Sequence, residues 1–204
     1  MDGLLECWGD ASAQQPDDGA LLEQVGFVRQ EPYVQYMERA LADPRGEVAL
    51  PEGFTLHTRG DELDLDAYLA LYNAVSSPLN RGSKETLMHA PEYDPALNVV
   101  VIAPDGRPVA FCEASCGPDE WADGRRIGWI DHMGTHPGYQ RLGLGEALLV
   151  TGLQRLHAAG ATMAALFTAS RNEPAKRLYA RLGFYPSATA TLYTRHVAQH
   201  DQHR

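Results

Sequence analysis

The sequence predicts a mixed α/β (α+β) domain, with helices on both faces of a mostly antiparallel sheet. Residues 54–59 alternate between apolar and polar side chains, as expected of a strand with one buried face. After Gly143, leucines recur on one helical face through residue 156. From Phe54 such patterns follow one another in the order β-α-α-β-β-β-α-β-α-β-β. This interleaving favours one mixed sheet between two layers of helices.

Each element follows from a local signal. Leu63, Ala67, Leu71 and Val75 recur at helical spacing and predict a helix over residues 61–75. The further predictions are a short helix at 83–89, strands at 97–103 and 108–116 joined by a tight turn at 104–107, a strand at 127–135, a helix after Gly143 ended by Gly160, a strand at 163–168, a helix at 172–182 stopped by Gly183, a hairpin-like strand pair at 184–195 and a frayed polar tail at 196–204.

The chain of 204 residues has room for one domain and an extension. Residues 1–50 form the predicted N-terminal extension with a linker, and residues 51–204 the main domain. The extension predicts a strand at 4–8 and a short helix that Gly26 ends. A strand-like stretch follows, in which Pro32 favours an edge position.

Composition excludes several classes of function. A net charge of −10 argues against a nucleic-acid partner, which would need a basic face, and is compatible with a cationic acceptor such as an amine. The apolar runs are too short to span a bilayer, so no membrane partner is expected. Three cysteines suggest no disulfide framework, and no secretory signal is visible at Met1, so we expect a cytoplasmic protein.

A glycine-containing turn joins the predicted strand at 127–135 to the helix that follows Gly143. Its glycines remove side chains where the helix begins and leave several backbone N–H groups bare. The first-turn N–H groups of a helix have no intrahelical acceptor, and the helix dipole adds partial positive charge. The turn therefore predicts a phosphate site.

Four motifs follow one another in the sequence: the strand end at 133–137, the turn Gln140-x-x-Gly143-x-Gly145, the helix Asn172-x-x-Ala175-x-x-Leu178-Tyr179 and the stop Leu182-Gly183-Phe184. Together they resemble the GNAT family of acyl-CoA-dependent N-acetyltransferases. The resemblance covers roughly residues 54–195 and implies the GNAT fold.

The resemblance implies roles for these positions, with acetyl-CoA as the acyl donor and no metal. Tyr179 is implied to be the general acid for the departing thiolate, and Asn172 to hydrogen-bond the cofactor near its thiol. The backbone of Met133 and Thr135 is implied to pair with the pantetheine arm, and the chemistry asks for an oxyanion donor such as the backbone at Gly134 or Thr135. The cofactor-binding turn consists of Gln140, Arg141, Leu142, Gly143, Leu144 and Gly145, whose N–H groups from Arg141 onward are implied to hold the pyrophosphate.

The general base is left open between three residues. An amine is mostly ammonium at neutral pH and must lose a proton before it attacks a thioester. The candidates are Asp131, His132 and Glu113. Because side chains alternate along a strand, Asp131 and His132 are expected on opposite faces. Asp131 is preferred because it would share a face with Met133 and Thr135.

These features predict an N-acetyltransferase that acts on a primary amine by direct attack in a ternary complex. The acceptor is expected to be a small molecule, with Tyr72, Asn73, Glu92 and Trp121 as candidate lining residues. A protein or peptide N-acetyltransferase and a non-catalytic acyl-CoA-binding regulatory module are the alternatives. A homodimer is left open.

Two further patterns concern the cysteines and the N-terminal residues. Cys112 and Cys116 are expected to be buried thiols rather than metal ligands. Gly26-Phe27 and Gly183-Phe184 lie 157 positions apart, and at this offset Leu22 stands where Tyr179 stands. We hypothesise that residues 1–42 are the catalytically inert remnant of an upstream GNAT-like repeat.

Overall fold

The computed structural model describes residues 3–10, 18–42, 46, 48–59, 63–76, 94–117 and 124–197. Contacts within the chain define two compact units, Met1–Glu38 with Phe167–Arg204 and Arg39–Leu166. The elements in chain order are β1 (Gly3–Asp10), α1 (Asp18–Gln24), β2 (Val28–Ala40), β3 (Thr55–Thr58), α2 (Leu65–Val75), β4 (Val99–Ile102), β5 (Pro108–Cys116), β6 (Ile127–Thr135), α3 (Leu144–Ala158), β7 (Met163–Ala169), α4 (Glu173–Arg181) and β8 (Tyr185–Val197).

The strands confirm the predicted mixed sheet. In the second unit the order is β7-β6-β5-β4-β3, with β6 and β7 parallel and the other neighbours antiparallel. In the first unit β8 lies between β1 and β2 and pairs antiparallel with both. The predicted short helix at 83–89 lies outside the described residues.

Helices cover both faces of β5 and β6 in the second unit. On one face, Tyr68 of α2 packs in a buried cluster with Phe111. The α2 helix begins where the Asp64 carboxylate accepts two backbone N–H groups as an N-cap. On the other face, α3 approaches so closely that a Cβ on Gly152 would lie 3.1 Å from Cys112 Sγ and 3.3 Å from Ile130 Cδ1. The two-layer prediction is therefore confirmed for this unit.

A bulge interrupts β6 at Asp131. Glu113 of β5 lies opposite His132, but the next residue, Ala114, lies opposite Ile130, so Asp131 is an extra residue on β6. The simple alternation used to compare Asp131 with Met133 therefore does not hold through this position. Register and packing place Ile130 toward α3 and His132 toward α2.

The C-terminal prediction needs correction. Instead of a hairpin-like pair at 184–195, the chain forms the single strand β8, and its backbone includes His196, which the sequence assigned to the tail. Because β8 has a partner strand on each side, its backbone groups are paired along its length without a turn. Strand β2 likewise continues through Pro32, with irregular register on both sides of it.

In the first unit, the N-terminal segment and the C-terminal segment share the same local structure. At the offset of 157 positions, the bounds of β8 fall on the bounds of β2. Gly26 and Gly183 both have positive φ, +87° and +89°. Phe27 N–H donates to Leu22 O at 3.0 Å, and Phe184 N–H donates to Tyr179 O at 3.0 Å. The helix-to-strand turn is thus built twice with the same hydrogen bonds.

The equivalent strands of the two copies pair with each other. Strands β2 and β8 pair antiparallel near their midpoints, where Val34 lies opposite Ala190. The turn after α1 and strand β2 thus correspond to the turn after α4 and strand β8, and the origin of residues 1–42 as a repeat stays a hypothesis.

Candidate active site

The turn before α3 has the geometry of an anion cradle. Gly143 is the N-cap of the helix, with φ +83° and no side-chain cap, and its carbonyl accepts the N–H groups of Glu146 and Ala147 at 3.1 Å each. Within the described part of the chain, the N–H groups of Leu142, Gly143, Leu144 and Gly145 have no hydrogen-bond acceptor. These donors surround the positive end of a long helix, where an anion is stabilised.

Arg141 adds a cation and an unusual backbone to this turn. Its φ is +67°, and it is the only non-glycine residue with positive φ in the described ranges. Such a conformation costs about 1 kcal/mol or more for a non-glycine residue. The side chain is exposed beside the uncapped N–H groups. Gln140 Nε2 donates to Thr135 O at 3.3 Å, which ties the turn to the end of β6.

One edge of β6 is open next to this turn. The parallel ladder with β7 runs from Ile127–Met163 to Ile130–Leu166, whereas the ladder with β5 continues to Thr135. Within the second unit as described, residues 132–135 have a strand partner on the β5 side only. Their backbone groups on the other side can accept an extended ligand as an added strand.

A buried ion pair lies on the α2 face of the sheet. Arg59 Nη1 contacts Glu113 Oε1 at 2.6 Å, and the Tyr68 hydroxyl donates to the same oxygen at 2.7 Å. Burial raises the pKa of Glu113, although the Tyr68 hydrogen bond and Arg59 oppose the shift. Burial and the neighbouring Glu113 carboxylate raise the pKa of Tyr68. Glu113 thus joins β5 to α2 and to the end of β3.

His132 lies beside Glu113 and is held between two hydroxyl groups. Its Nδ1 is 2.9 Å from the Tyr72 hydroxyl, and its Nε2 is 3.2 Å from Ser76 Oγ. The ring packs against Tyr72 and Phe111, with centroid distances of 4.6 and 5.4 Å. Burial lowers the pKa of His132, which favours a neutral imidazole at neutral pH.

The other polar candidates have different surroundings. Asp131 is exposed, and its charge contributes to the raised pKa of Glu113. Cys112 is buried as predicted, and burial raises the pKa of its thiol to about 12. Cys116 is only partly buried, so the prediction was wrong for this thiol. Among the described side chains, no three His, Cys, Asp or Glu residues form a potential metal site.

The α4 helix carries the remaining predicted residues, in the first unit. Asn172 is the N-cap, and its Oδ1 accepts the Ala175 N–H at 3.3 Å, so its amide NH₂ is the part that can donate to a ligand. Tyr179 is buried, with 7% of its surface exposed, and its ring lies 5.9 Å from that of Phe184. Nothing in this helix contradicts the predicted roles, which stay predictions.

Comparison with known proteins identifies the family. Residues 65–184, more than half of the chain, match the model of the acetyltransferase (GNAT) family. The chain belongs to the GNAT family. The matched region begins with α2 and ends at Phe184. It includes the turn before α3, the open edge of β6 and the hydroxyl groups of Tyr68 and Tyr72, but not Arg59.

Relatives and solved structures agree with this assignment. The chain is 31% identical to mycothiol acetyltransferase of Thermomonospora curvata and 32% identical to that of Pseudarthrobacter chlorophenolicus, over 94% and 90% of its length. It spans only 63% and 58% of those relatives. A GCN5-related N-acetyltransferase from Sphaerobacter thermophilus has the same fold, with a TM-score of 0.75 at 22% identity over 97% of this chain and 61% of that chain.

A second solved structure resembles the whole chain. A tandem GNAT protein from the clavulanic acid biosynthesis pathway aligns with a TM-score of 0.76 at 19% identity, over 97% of this chain and 65% of that one.

None of the helices in the described ranges has the length and hydropathy needed to cross a membrane.

Three residues of this GNAT site were missed by the sequence reasoning: Arg59, Tyr68 as a hydrogen-bond donor, and Ser76. The sequence contains a signal for Tyr68 and Ser76, because positions 68, 72 and 76 are spaced four residues apart and therefore share one face of a helix. Arg59 had none, since a basic residue after a short strand is most often exposed. Glu92 and Trp121, proposed to line the acceptor site, lie outside the described residues.

Proposed function

We propose that this GNAT protein transfers an acetyl group from acetyl-CoA to the primary amine of a small molecule, by direct attack in a ternary complex. The observation that carries the proposal is the uncapped start of α3, where the N–H groups of Leu142, Gly143, Leu144 and Gly145 lack acceptors in the described structure. A site with several convergent donors and an adjacent cation suits a pyrophosphate.

The donor side would extend from this turn along the open edge of β6. Met133 and Thr135 would pair with the pantetheine arm through their backbone groups, which requires no particular side chain. Asn172 would use its free amide NH₂ near the thiol, because its carbonyl oxygen caps α4. Tyr179 would protonate the departing thiolate.

The acceptor side would attract an amine through negative charge. The charge of Asp131 contributes to the raised pKa of Glu113, and the whole chain carries a net charge of −10. Both carboxylates stay candidates for the general base. The name mycothiol acetyltransferase, given to the relatives, supports a small-molecule acceptor rather than a protein.

The N-terminal repeat would have no catalytic part. It has Leu22 where Tyr179 stands in the other copy, and residues 1–42 contain no glycine-rich turn like that of residues 140–145. We propose that it is the remnant of a second GNAT repeat, retained because β1 and β2 flank β8.

Two measurements test the proposed function. Calorimetry should detect acetyl-CoA binding to the wild-type chain. Acetylpantetheine, which lacks the pyrophosphate, is the control and should bind more weakly. Thiol release should then be followed with acetyl-CoA and a panel of primary amines, including the amine precursor of mycothiol and an alanine-initiated peptide. Absence of acetyl-CoA binding would refute the site. Binding without thiol release from any amine would support the non-catalytic module instead.

A further inference from the structure

The imidazole of His132 has no role in the proposed function, although it lies beside the end of α2. We propose that Ser76, His132 and Tyr72 form a proton relay, in which His132 receives the proton of the acceptor amine through the Ser76 hydroxyl. The inference deepens the proposed acetyl transfer and rests on it. The general base is then His132 and not Asp131, which the sequence pattern favours.

Hydrogen bonding on both ring nitrogens carries the first step. A neutral imidazole has one N–H donor and one acceptor nitrogen. With the proton on Nδ1, the ring donates to Tyr72 Oη at 2.9 Å and presents the Nε2 lone pair to Ser76 Oγ at 3.2 Å. The Ser76 hydroxyl can then donate to His132 while its own lone pairs face outward as acceptors.

The end of α2 brings Ser76 next to strand β6. A Cβ on Gly134 would lie 2.4 Å from Val75 Cγ2, so the last turn of the helix lies directly on the strand backbone. Ser76 follows as the C-cap of that helix. Its hydroxyl is therefore beside the strand segment that contains Met133 and Thr135, where the reacting thioester would lie.

Proton transfer along this path balances without another reagent. Ser76 Oγ accepts a proton from the ammonium and passes its own proton to His132 Nε2, which leaves a neutral amine and an imidazolium. The imidazolium keeps its Nδ1–H on Tyr72 Oη. His132 returns the proton to solvent through the same hydroxyl after the amide product leaves.

The surroundings of His132 suit a neutral base. Among the described residues, the ionisable groups near this part of the sheet include Tyr68 and Tyr72 on α2, Glu113 on β5, Asp131 on β6 and Arg59 after β3. Glu113 is engaged by Arg59 and by Tyr68 through one carboxylate oxygen, so it is poorly placed to leave that pairing for each turnover. The imidazole is the group with hydroxyl contacts on both sides.

The first test needs no substrate. Nitrogen-15 NMR of the full chain with labelled histidine reports the tautomer and the pKa of each ring. We expect His132 to carry its proton on Nδ1 and to titrate below the ordinary value of 6.5. A proton on Nε2 would overturn the relay, because Nε2 would then have no lone pair for the Ser76 proton.

The second test uses steady-state kinetics with acetyl-CoA and the best primary amine of the panel. His132→Gln should lower kcat about 100-fold, abolish the acidic limb of its pH profile and leave acetyl-CoA binding unchanged in calorimetry. Ser76→Ala should lower kcat and keep the limb. His157→Gln, an exposed histidine in the last turn of α3, should match the wild type.

The outcomes separate the relay from the proposed function. A His132→Gln variant that keeps the wild-type rate and pH limb refutes the relay while acetyl transfer stands. Loss of acetyl-CoA binding in that variant would mean a structural role and would also refute it. A wild-type chain that releases no thiol with any amine refutes both proposals together.

Discussion

Ile130 and His132 are two positions apart on β6, yet they lie on opposite faces of the sheet. Ile130 packs toward Gly152 of α3, whereas His132 contacts Tyr72 of α2. The extra residue Asp131 between them breaks the alternation. The bulge thereby turns the imidazole toward the polar cluster on α2.

Removing the bulge should destabilise the protein more than removing its side chain. Deletion of Asp131 would restore regular alternation and drive His132 or its neighbours to the wrong face, at a cost of at least about 3 kcal/mol in unfolding free energy. Asp131→Asn keeps the backbone and should change that free energy by less than about 0.5 kcal/mol. Urea denaturation of both variants measures the difference. Equal stability would contradict the role of the bulge.

The same Asp131→Asn variant also tests the choice of general base. If Asp131 rather than His132 is the base, Asp131→Asn will lose most of its activity.

Glu113 should contribute chiefly to stability. Glu113→Ala leaves the guanidinium of Arg59 buried without its carboxylate and should cost about 3 kcal/mol. Because the pKa of Glu113 is raised on folding, the folded state binds the proton more tightly than the unfolded state. This contribution to stability is full below the ordinary pKa of 4.5 and is lost as pH rises through the folded pKa. Unfolding curves across that window should show the slope in the wild type and not in Glu113→Gln. A full slope in Glu113→Gln would assign it to another group.

The proposed pyrophosphate site can be tested at Leu142, whose side chain is 46% exposed in the turn. Leu142→Glu puts a negative charge beside the bare N–H groups and should weaken acetyl-CoA binding about tenfold by charge repulsion. Leu142→Gln has the same shape without the charge and serves as the control. Calorimetry at low and high salt should show that the gap between the variants narrows with salt. Identical affinities would argue against an anion at this turn.

Tyr179 should act on the chemical step. Tyr179→Phe removes the hydroxyl and keeps the ring packing with Phe184, so we expect kcat to fall about 10- to 100-fold with little change in melting temperature. The fall is limited because a thiolate leaves fairly well unaided. Tyr193→Phe, at a buried tyrosine of β8, controls for loss of a hydroxyl elsewhere. A Tyr179→Phe variant with wild-type kcat would exclude the general acid.

The two copies of the helix-to-strand turn should respond alike to the same substitution. Gly26→Ala and Gly183→Ala each place a side chain at positive φ and should each cost about 1 kcal/mol. A Cβ on Gly26 would make only an ordinary contact, 3.5 Å from Arg195 Cδ, so the cost there is backbone strain. Thermal unfolding measures both. If Gly26→Ala has no effect, the N-terminal turn does not share in the folding of its unit.

Much of this fold was available from local sequence signals. The bounds of α3 and α4 follow from helical periodicity, an uncapped glycine start or an Asn cap, and glycine stops, all of which act within a few residues. The repeat at residues 1–42 was suggested by a short glycine-phenylalanine pattern. The hydrogen bonds of Phe27 and Phe184 show that the two turns are alike, and the origin of residues 1–42 as a repeat stays a hypothesis.

The sequence by itself determined the family and predicted a phosphate-binding turn, because both inferences depend on residue types at fixed spacing along the chain. Tertiary structure decided which polar side chains meet. The pairing of Arg59 with Glu113 joins residues 54 positions apart, and the contact of Ser76 with His132 joins residues 56 apart. The contact of Ser76 with His132 also depends on a strand register that includes one extra residue at Asp131. A bulge is a property of two paired strands, so neither strand alone specifies which face His132 takes.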